Sequence, residues 1–276
     1  MSNLKTTIDI FKLLDQSNCR DCGEKTCLAF AAAVFKGKRK LEECTHLEPE
    51  IIEKYAGRTP RAQSVEEDMA DEMARLKVRV ADMDLAAAAK RVGARYSNGS
   101  LTIRIFGRDF TVDQQGHLRT ELHINPWMVI PVLHHILSGK GLAPTGRWVP
   151  FRELPHGRER NLLYLQRVER PLKRVADHYT NFFKDLLEIF DGREMTDRYD
   201  SDISIVLHPL PLLPILICYD RPEEGIESDL HIFFDETAEA NLDIESLYIM
   251  VGGIVNMFHK IALRHGVADE LRENGF

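Results

Sequence analysis

SNCRDCGEKTCLAFAAAVFKGKRKLEECTHLEP, residues 17–49, carries four of the chain's five cysteines, Cys19, Cys22, Cys27 and Cys44. Two are separated by two residues, the third follows after four, and the fourth after sixteen. Clustered thiols without a disulfide framework point to metal binding. The first two can grip one corner of a compact inorganic group, and Gly23 gives the backbone freedom to wrap closely around it. The spacing predicts a helix from Thr26 to Phe35 with Cys27 at its start, where amides and the helix dipole favour an anionic ligand. Alanines at 29 and 31–33 let that helix pack closely. Gly37 is expected to end it, and residues 38–43 return the chain so that Cys44 becomes the fourth ligand. The reading is a [4Fe-4S] cluster. Zinc is the alternative, but structural zinc sites pair two close couples. Here Cys27 and Cys44 are far apart, and Cys44-Thr45-His46 is not a usual zinc spacing.

Outward from this stretch, FKLLDQSNC precedes the first cysteine, and Pro49 opens a short helix, EIIEKYA following it. GRTPRAQSVEED then turns polar, which places a linker at Arg58–Ser64 and two domains, 1–60 and 61–276. Met69, Met73, Leu76, Val80, Met83 and Ala87 recur at helical spacing and predict one amphipathic helix from Glu66 to Arg91, with the methionines as core. SLTIRIFG and RDFTVD alternate and predict a hairpin split at Gly107-Arg108. PWMVIPVLHHILS, 126–138, reads as a buried helix that Pro131 should kink or break, and 159–190 as two helices divided by Pro171. Strands are expected at Ile203–His208, Leu212–Tyr219 and Leu230–Phe234, and a last helix from Ile244 to His265. The fold class is α+β: a small helical module, then a larger α+β domain with an antiparallel or mixed sheet.

The chain has 276 residues, 44% hydrophobic, and a net charge of −7. An acidic chain without a basic stripe argues against nucleic acid. The apolar runs at 28–35 and 210–218 are too short to span a bilayer, and MSNLKTTIDIF has no secretory pattern, so a cytoplasmic location is expected. Lys36, Lys38, Arg39 and Lys40 form a basic run beside the cysteines. It reads as a solvated helix end or as a docking patch for an acidic redox partner.

Residues 10–48 resemble the iron–sulfur domain of the large subunit of corrinoid iron–sulfur proteins, and the matching module in the B subunit of Rnf-type electron-transport complexes. The resemblance implies one [4Fe-4S] cluster with Cys19, Cys22, Cys27 and Cys44 in the ligand positions. GRWVPFRELPHG, LPLLPILICYDRPEEG and HIFFDETAEANL resemble domain-of-unknown-function family 3786, whose members often follow such a module. That resemblance implies a two-part architecture and an anaerobic setting, and it carries no activity. The base-off cobalamin pattern Asp-x-His-x-x-Gly begins at Asp229-Leu230-His231, but Phe234 stands where glycine is needed.

No dinucleotide fingerprint, phosphate loop, HExxH or nucleophile elbow occurs. Three places in the second domain could hold chemistry. Arg152, Glu153 and Trp148 could bind an anionic or planar ligand, or simply fix a loop. Asp220, Glu223 and Glu224, with Asp235 and Glu236, could bind a hard cation at adjacent strand ends. His134 and His135 diverge by about 100° on a helix, which suggests one core and one exposed residue. Cys218 reads as a buried hydrophobe. The first functional reading is an electron-transfer or redox-accessory protein. The others are a redox enzyme fed by the cluster and a redox-responsive binding protein.

Overall fold

The computed structural model describes residues 4, 6–55 and 65–264, with Glu66 as backbone only, and the Arg58–Ser64 linker lies outside the described residues. The chain forms two compact units, Met1–Asp71 and Glu72–Phe276. The fold is mixed α+β.

In the first unit, α1 (Thr7–Phe11) starts at a capping box in which Thr6 and Asp9 satisfy each other's amides. α2 (Cys27–Phe35) starts at Thr26, whose hydroxyl accepts the Ala29 amide at 3.1 Å. Cys27, Phe30, Ala31 and Val34 repeat every three or four residues and form its buried face. Gly37, with φ of +68°, ends it in a Schellman turn: its amide donates to Val34 and the next amide, Lys38, to Ala33. α3 (Pro49–Tyr55) begins at a proline that needs no amide partner. Leu4, Ile10, Leu14, Leu41, Leu47 and Tyr55 close a small core with the α2 face.

α4 (Val65–Ala81) and α5 (Leu85–Arg91) replace the single helix expected over 66–91. Asp84 causes the break, since its carboxylate caps the Ala86 and Ala87 amides at 3.0 Å. The buried phase then resets: Leu76 and Val80 are buried, Ala87 is exposed, and Leu85, Ala88 and Ala89 are buried in its place. Met69, Met73 and Met83 are only half-buried.

β1 (Arg95–Ser97), β2 (Ser100–Ile105), β3 (Arg108–Asp113) and β4 (Leu118–Thr120) make an antiparallel meander. Phe106 and Gly107 both have positive φ, as a two-residue hairpin turn with matching twist requires. α5 covers β1 and β2, and β2 also meets β7. α6 (Pro126–Ser138) is capped by Asn125 and runs unbroken through Pro131.

β5 (Trp148–Pro150) leads through a 3-10 turn to α7 (Gly157–Tyr164). A π-helical turn, Leu165–Glu169, joins α7 directly to α8 (Arg170–His178). Pro171 therefore does not divide the helix; the wider turn before it absorbs the proline's missing amide and ring bulk. The real break is at Tyr179–Asn181, ahead of α9 (Phe182–Ile189).

β6 (Arg193–Glu194), β7 (Ile203–Leu210), β8 (Leu213–Asp220) and β9 (Asp229–Asp235) complete an antiparallel sheet of order β5-β9-β8-β7-β6. Past Pro150, where β5 stops, Glu169 takes over the edge: its carboxylate accepts the Ile232 amide at 3.0 Å. α10 (Ala238–Asn241) and α11 (Ile244–Arg264) follow. α11 is long and apolar enough to cross a bilayer by length and composition. Here Leu247, Val251, Val255 and Phe258 are buried as it packs on α6 and α8. At the core, Phe151 stacks on Tyr164 at 4.2 Å and Phe234 meets both edge-on.

Candidate metal centre

The four clustered cysteines belong to one small neighbourhood, graded by exposure. Cys27 and Cys44 are buried, Cys22 is half-buried and packs on the same core, and Cys19 is exposed. Cys27 is placed by its position as the first residue of α2. Cys44 closes the 3-10 turn Leu41–Glu43, donating its amide to Leu41.

The loop before α2 has an unusual backbone. Gln16, Asn18 and Arg20 have φ of 60°, 56° and 70°, and Gly23 of 81°. Three non-glycine residues in the left-handed region at alternate positions give the loop a sharply turned path between Asp15 and Cys22. Asn18 shows the result. Its amide donates to the Cys27 sulfur at 3.3 Å, and its side-chain oxygen accepts the Cys27 amide at 2.8 Å. Asn tolerates the left-handed region better than most side chains. The Cys27 thiol also lies 3.9 Å from Asp15, whose carboxylate is held by the Ser17 amide.

Burial pushes the Cys44 thiol up, with nearby Cys22, Asp15 and Cys19 adding to it against the His46 amide. A bound cation would bring it down again and favour the thiolate. Four clustered cysteines, one with its sulfur accepting a backbone amide, are a donor set that an iron–sulfur cluster takes.

Around the rim, His46 Nε2 lies 2.9 Å from Asp21 and Nδ1 3.8 Å from Asp15. The Asp21 bond raises the His46 pKa, and Asp15 helps. Arg39 is not a free member of the basic run. It pairs with Glu43 at 2.8 Å and Glu24 at 3.6 Å, and a Cβ on Gly23 would meet its guanidinium at 3.2 Å. Lys36, Lys38 and Lys40 are exposed. Asp15, Asn18 and Asp21 did not emerge from the sequence as site residues, and Arg39 did so only as part of the basic run.

Residues 84–257, more than half of the chain, match the family Domain of unknown function (DUF3786). The chain belongs to that family. Residues 14–46 match a second family, described as "Putative Fe-S cluster". Two curated relatives align with short stretches of the chain. The acetyl-CoA decarbonylase/synthase complex subunit gamma of Methanopyrus kandleri is 39% identical over 49 residues, 18% of this chain and 11% of the relative. The corrinoid/iron-sulfur protein large subunit of Moorella thermoacetica is 43% identical over 42 residues, 15% of this chain and 9% of the relative. The chain thus spans about a tenth of the length of these relatives. No solved structure matches. The DUF3786 protein is an iron–sulfur protein.

In the DUF3786 region the sequence-derived candidates separate. Arg152 and Glu153 are exposed on the 3-10 turn, while Trp148 packs on Val206, Leu216 and Cys218. Asp220 pairs in register with Asp229, six residues along β9 from Asp235. The two acidic groups therefore stand at opposite strand ends, about 20 Å apart, and form no common cation site. Asp235 is fully buried and spends its oxygens on the Gly146 amide at 2.7 Å and the Thr237 hydroxyl at 2.7 Å. Those bonds outweigh its burial and hold its pKa below the usual carboxylate value. His135 is fully buried, with Nδ1 2.8 Å from the Asn241 carbonyl, while His134 is half-exposed. Cys218 is buried and accepts the Ser204 hydroxyl at 3.5 Å.

Proposed function

We propose that Cys19, Cys22, Cys27 and Cys44 ligate one [4Fe-4S] cluster, and that the chain is an electron-transfer or redox-accessory protein of anaerobic metabolism working in the cytoplasm with a protein partner. Residues 1–60 are the cluster-binding domain, and residues 61–276 are the part that engages the partner. The observation that carries this reading is the shared packing of Cys22, Cys27 and Cys44, with Cys19 close enough to act on Cys44 and the Asn18 amide on the Cys27 sulfur. The relatives are named as a complex subunit and a corrinoid/iron-sulfur subunit, which supports a partnered, anaerobic role.

When bound, the cluster supplies reversible one-electron chemistry. The chain's own residues do the rest. The Asn18 amide stabilises sulfur charge, and the Asn18 side-chain oxygen holds the Cys27 amide, fixing the sulfur at the start of α2. Burial of Cys27 and Cys44 keeps water from that side. Exposed Cys19 leaves one edge near solvent, where a partner would have a short tunnelling path.

The test is anaerobic purification with iron, sulfide and electron paramagnetic resonance measurements. About four irons and four sulfides per chain are expected, with a paramagnetic state on reduction. Zinc in place of iron, or about two irons per chain, would sink it.

A further inference from the structure

Beside the cluster ligands lies a second set of donors of mixed chemistry. The Cys19 sulfur, an Asp21 carboxylate oxygen and a His46 ring nitrogen all lie within 4.8 Å of one another, and all three residues are exposed. We propose that, in the cluster-free chain, these three hold a single divalent transition-metal ion of the zinc, iron(II) or cobalt(II) class. The inference rests on the cluster reading only in that Cys19 is shared between the two states.

The chemistry selects the ion. A thiolate, a carboxylate and a neutral imidazole carry two negative charges between them and so balance one divalent cation. Thiolate and imidazole suit borderline metals and not calcium or magnesium. Three protein ligands leave a fourth tetrahedral position for water, as in open zinc sites. Donors around such an ion sit about 3.3–3.8 Å apart, given bonds of about 2.0–2.3 Å. The hydrogen-bonded His46 and Asp21 atoms, at 2.9 Å, would open to that spacing as the ion replaces the bond between them, and the exposed side chains allow this without disturbing the core.

The surroundings add an independent argument. A metal-binding histidine usually turns its other nitrogen to a carboxylate, which fixes the ring. His46 has a carboxylate beside each nitrogen: Nε2 is hydrogen-bonded to Asp21 at 2.9 Å, and Nδ1 faces Asp15 at 3.8 Å, which a small side-chain rotation would bring into hydrogen-bond range. Asp15 is itself tied to the Ser17 amide at 3.3 Å. These contacts join the loop before α2 to the segment after Cys44, so the ion would staple together the two segments that carry the cysteines. Because Cys19 belongs to both sets, the mononuclear ion and the full cluster exclude one another. The site is therefore either an entry point for the first iron or a place where zinc blocks loading.

Cobalt(II) titration of the metal-free, thiol-reduced full chain tests this. About one ion per chain should bind, with a near-ultraviolet thiolate-to-cobalt absorption. Cys19→Ser should abolish that absorption. His46→Gln and Asp21→Asn should each weaken binding at least about tenfold, and Cys44→Ser should leave it in place. If Cys44→Ser abolishes the band while His46→Gln does not weaken it, the ion sits on the four thiols and the proposal falls. Far-ultraviolet circular dichroism checks that each variant stays folded, and agreement between two rim variants guards against a folding artefact in one. Iron and sulfide content after anaerobic loading is scored separately. Wild type failing to load would sink the cluster reading and leave the cobalt result standing. Zinc added before iron should slow loading of wild type more than of His46→Gln; equal slowing would overturn the shared-ligand competition.

Discussion

Phe30 and Phe234 are both sealed from solvent, but by different surroundings. Phe30 sits among three short helices, in a core where two of the buried members are Cys27 and Cys44. Phe234 sits on a strand paired on both sides, against Phe151 and Tyr164. The first unit is close to the size at which a small domain needs a metal to stay folded. The second buries residues from two sheets and several helices. The contrast predicts different sources of stability: cluster ligation added to a small apolar core in one unit, apolar burial in the other.

Removing the metal should break this contrast most sharply. Cys27→Ser should lose essentially all bound iron and lower the first unit's urea midpoint, with the second unit's transition unchanged; Cys218→Ser should keep full iron. Iron assays and urea unfolding read both. If Cys218→Ser strips the iron, the ligand set is wrong. Next in size is Phe234→Ala, expected to cost the second unit about 3–5 kcal/mol. Iron content should not move, and a joint loss of iron would show that the units are not independent.

A pH effect is expected in the second unit from its buried histidines. Burial holds His135 below its usual imidazole value of 6.5, Arg91 adds to this, and the bond to Asn241 partly opposes it. His259 is held down by burial in the same direction. The unfolded chain therefore binds more protons just below 6.5. Stability is full above that value and is lost as pH falls through the folded-state values. The urea midpoint should drop between about pH 7.5 and about pH 5.5. His135→Gln should shrink that drop, and an undiminished slope would remove His135 as a cause.

Thr26→Ala should cost the first unit about 1 kcal/mol through the lost helix cap. Iron should leave faster under a chelator, and an unchanged rate would mean that α2 is held by the cluster alone. The smallest effect belongs to the exposed charges. Changing Lys36, Lys38 and Lys40 together to Gln should slow reduction by an acidic donor at low salt, leaving iron unchanged. Such charges contribute at most about 1 kcal/mol to stability, so kinetics across ionic strength is the measure. A rate that does not change would return the run to a solvated helix end.

The same contrast governs what could be read in advance. The cysteine spacing, the α2 boundaries and strands β7, β8 and β9 were legible because each is a strong local pattern. β1, β4, β5 and β6 have two or three residues each, too few to show a period. The helix break at Asp84 was overridden by the longer apolar rhythm, although the carboxylate cap was in the sequence. Pro171 misled because the breaking rule assumes α geometry, and a π turn is not written in residue types. At the site, Asp15 and His46 meet across 31 positions of sequence, and Arg39 bridges Glu24 and Glu43. Only the folded chain brings such partners together. The carboxylates after β8 and β9 looked adjacent because antiparallel pairing, which puts them at opposite ends, is invisible until register is known.

The Glu169 carboxylate on the Ile232 amide has a consequence for behaviour at high concentration. A strand whose neighbour stops short offers open amides to any other extended chain. β5 ends at Pro150, so the first half of β9 would be such an invitation. Glu169 answers the Ile232 amide and pairs with His231 at 3.6 Å, so a buried side chain occupies the place an incoming strand would take. The end of the π turn thus doubles as a guard against edge-to-edge self-association, in a place where the sheet could not be made longer without displacing β5.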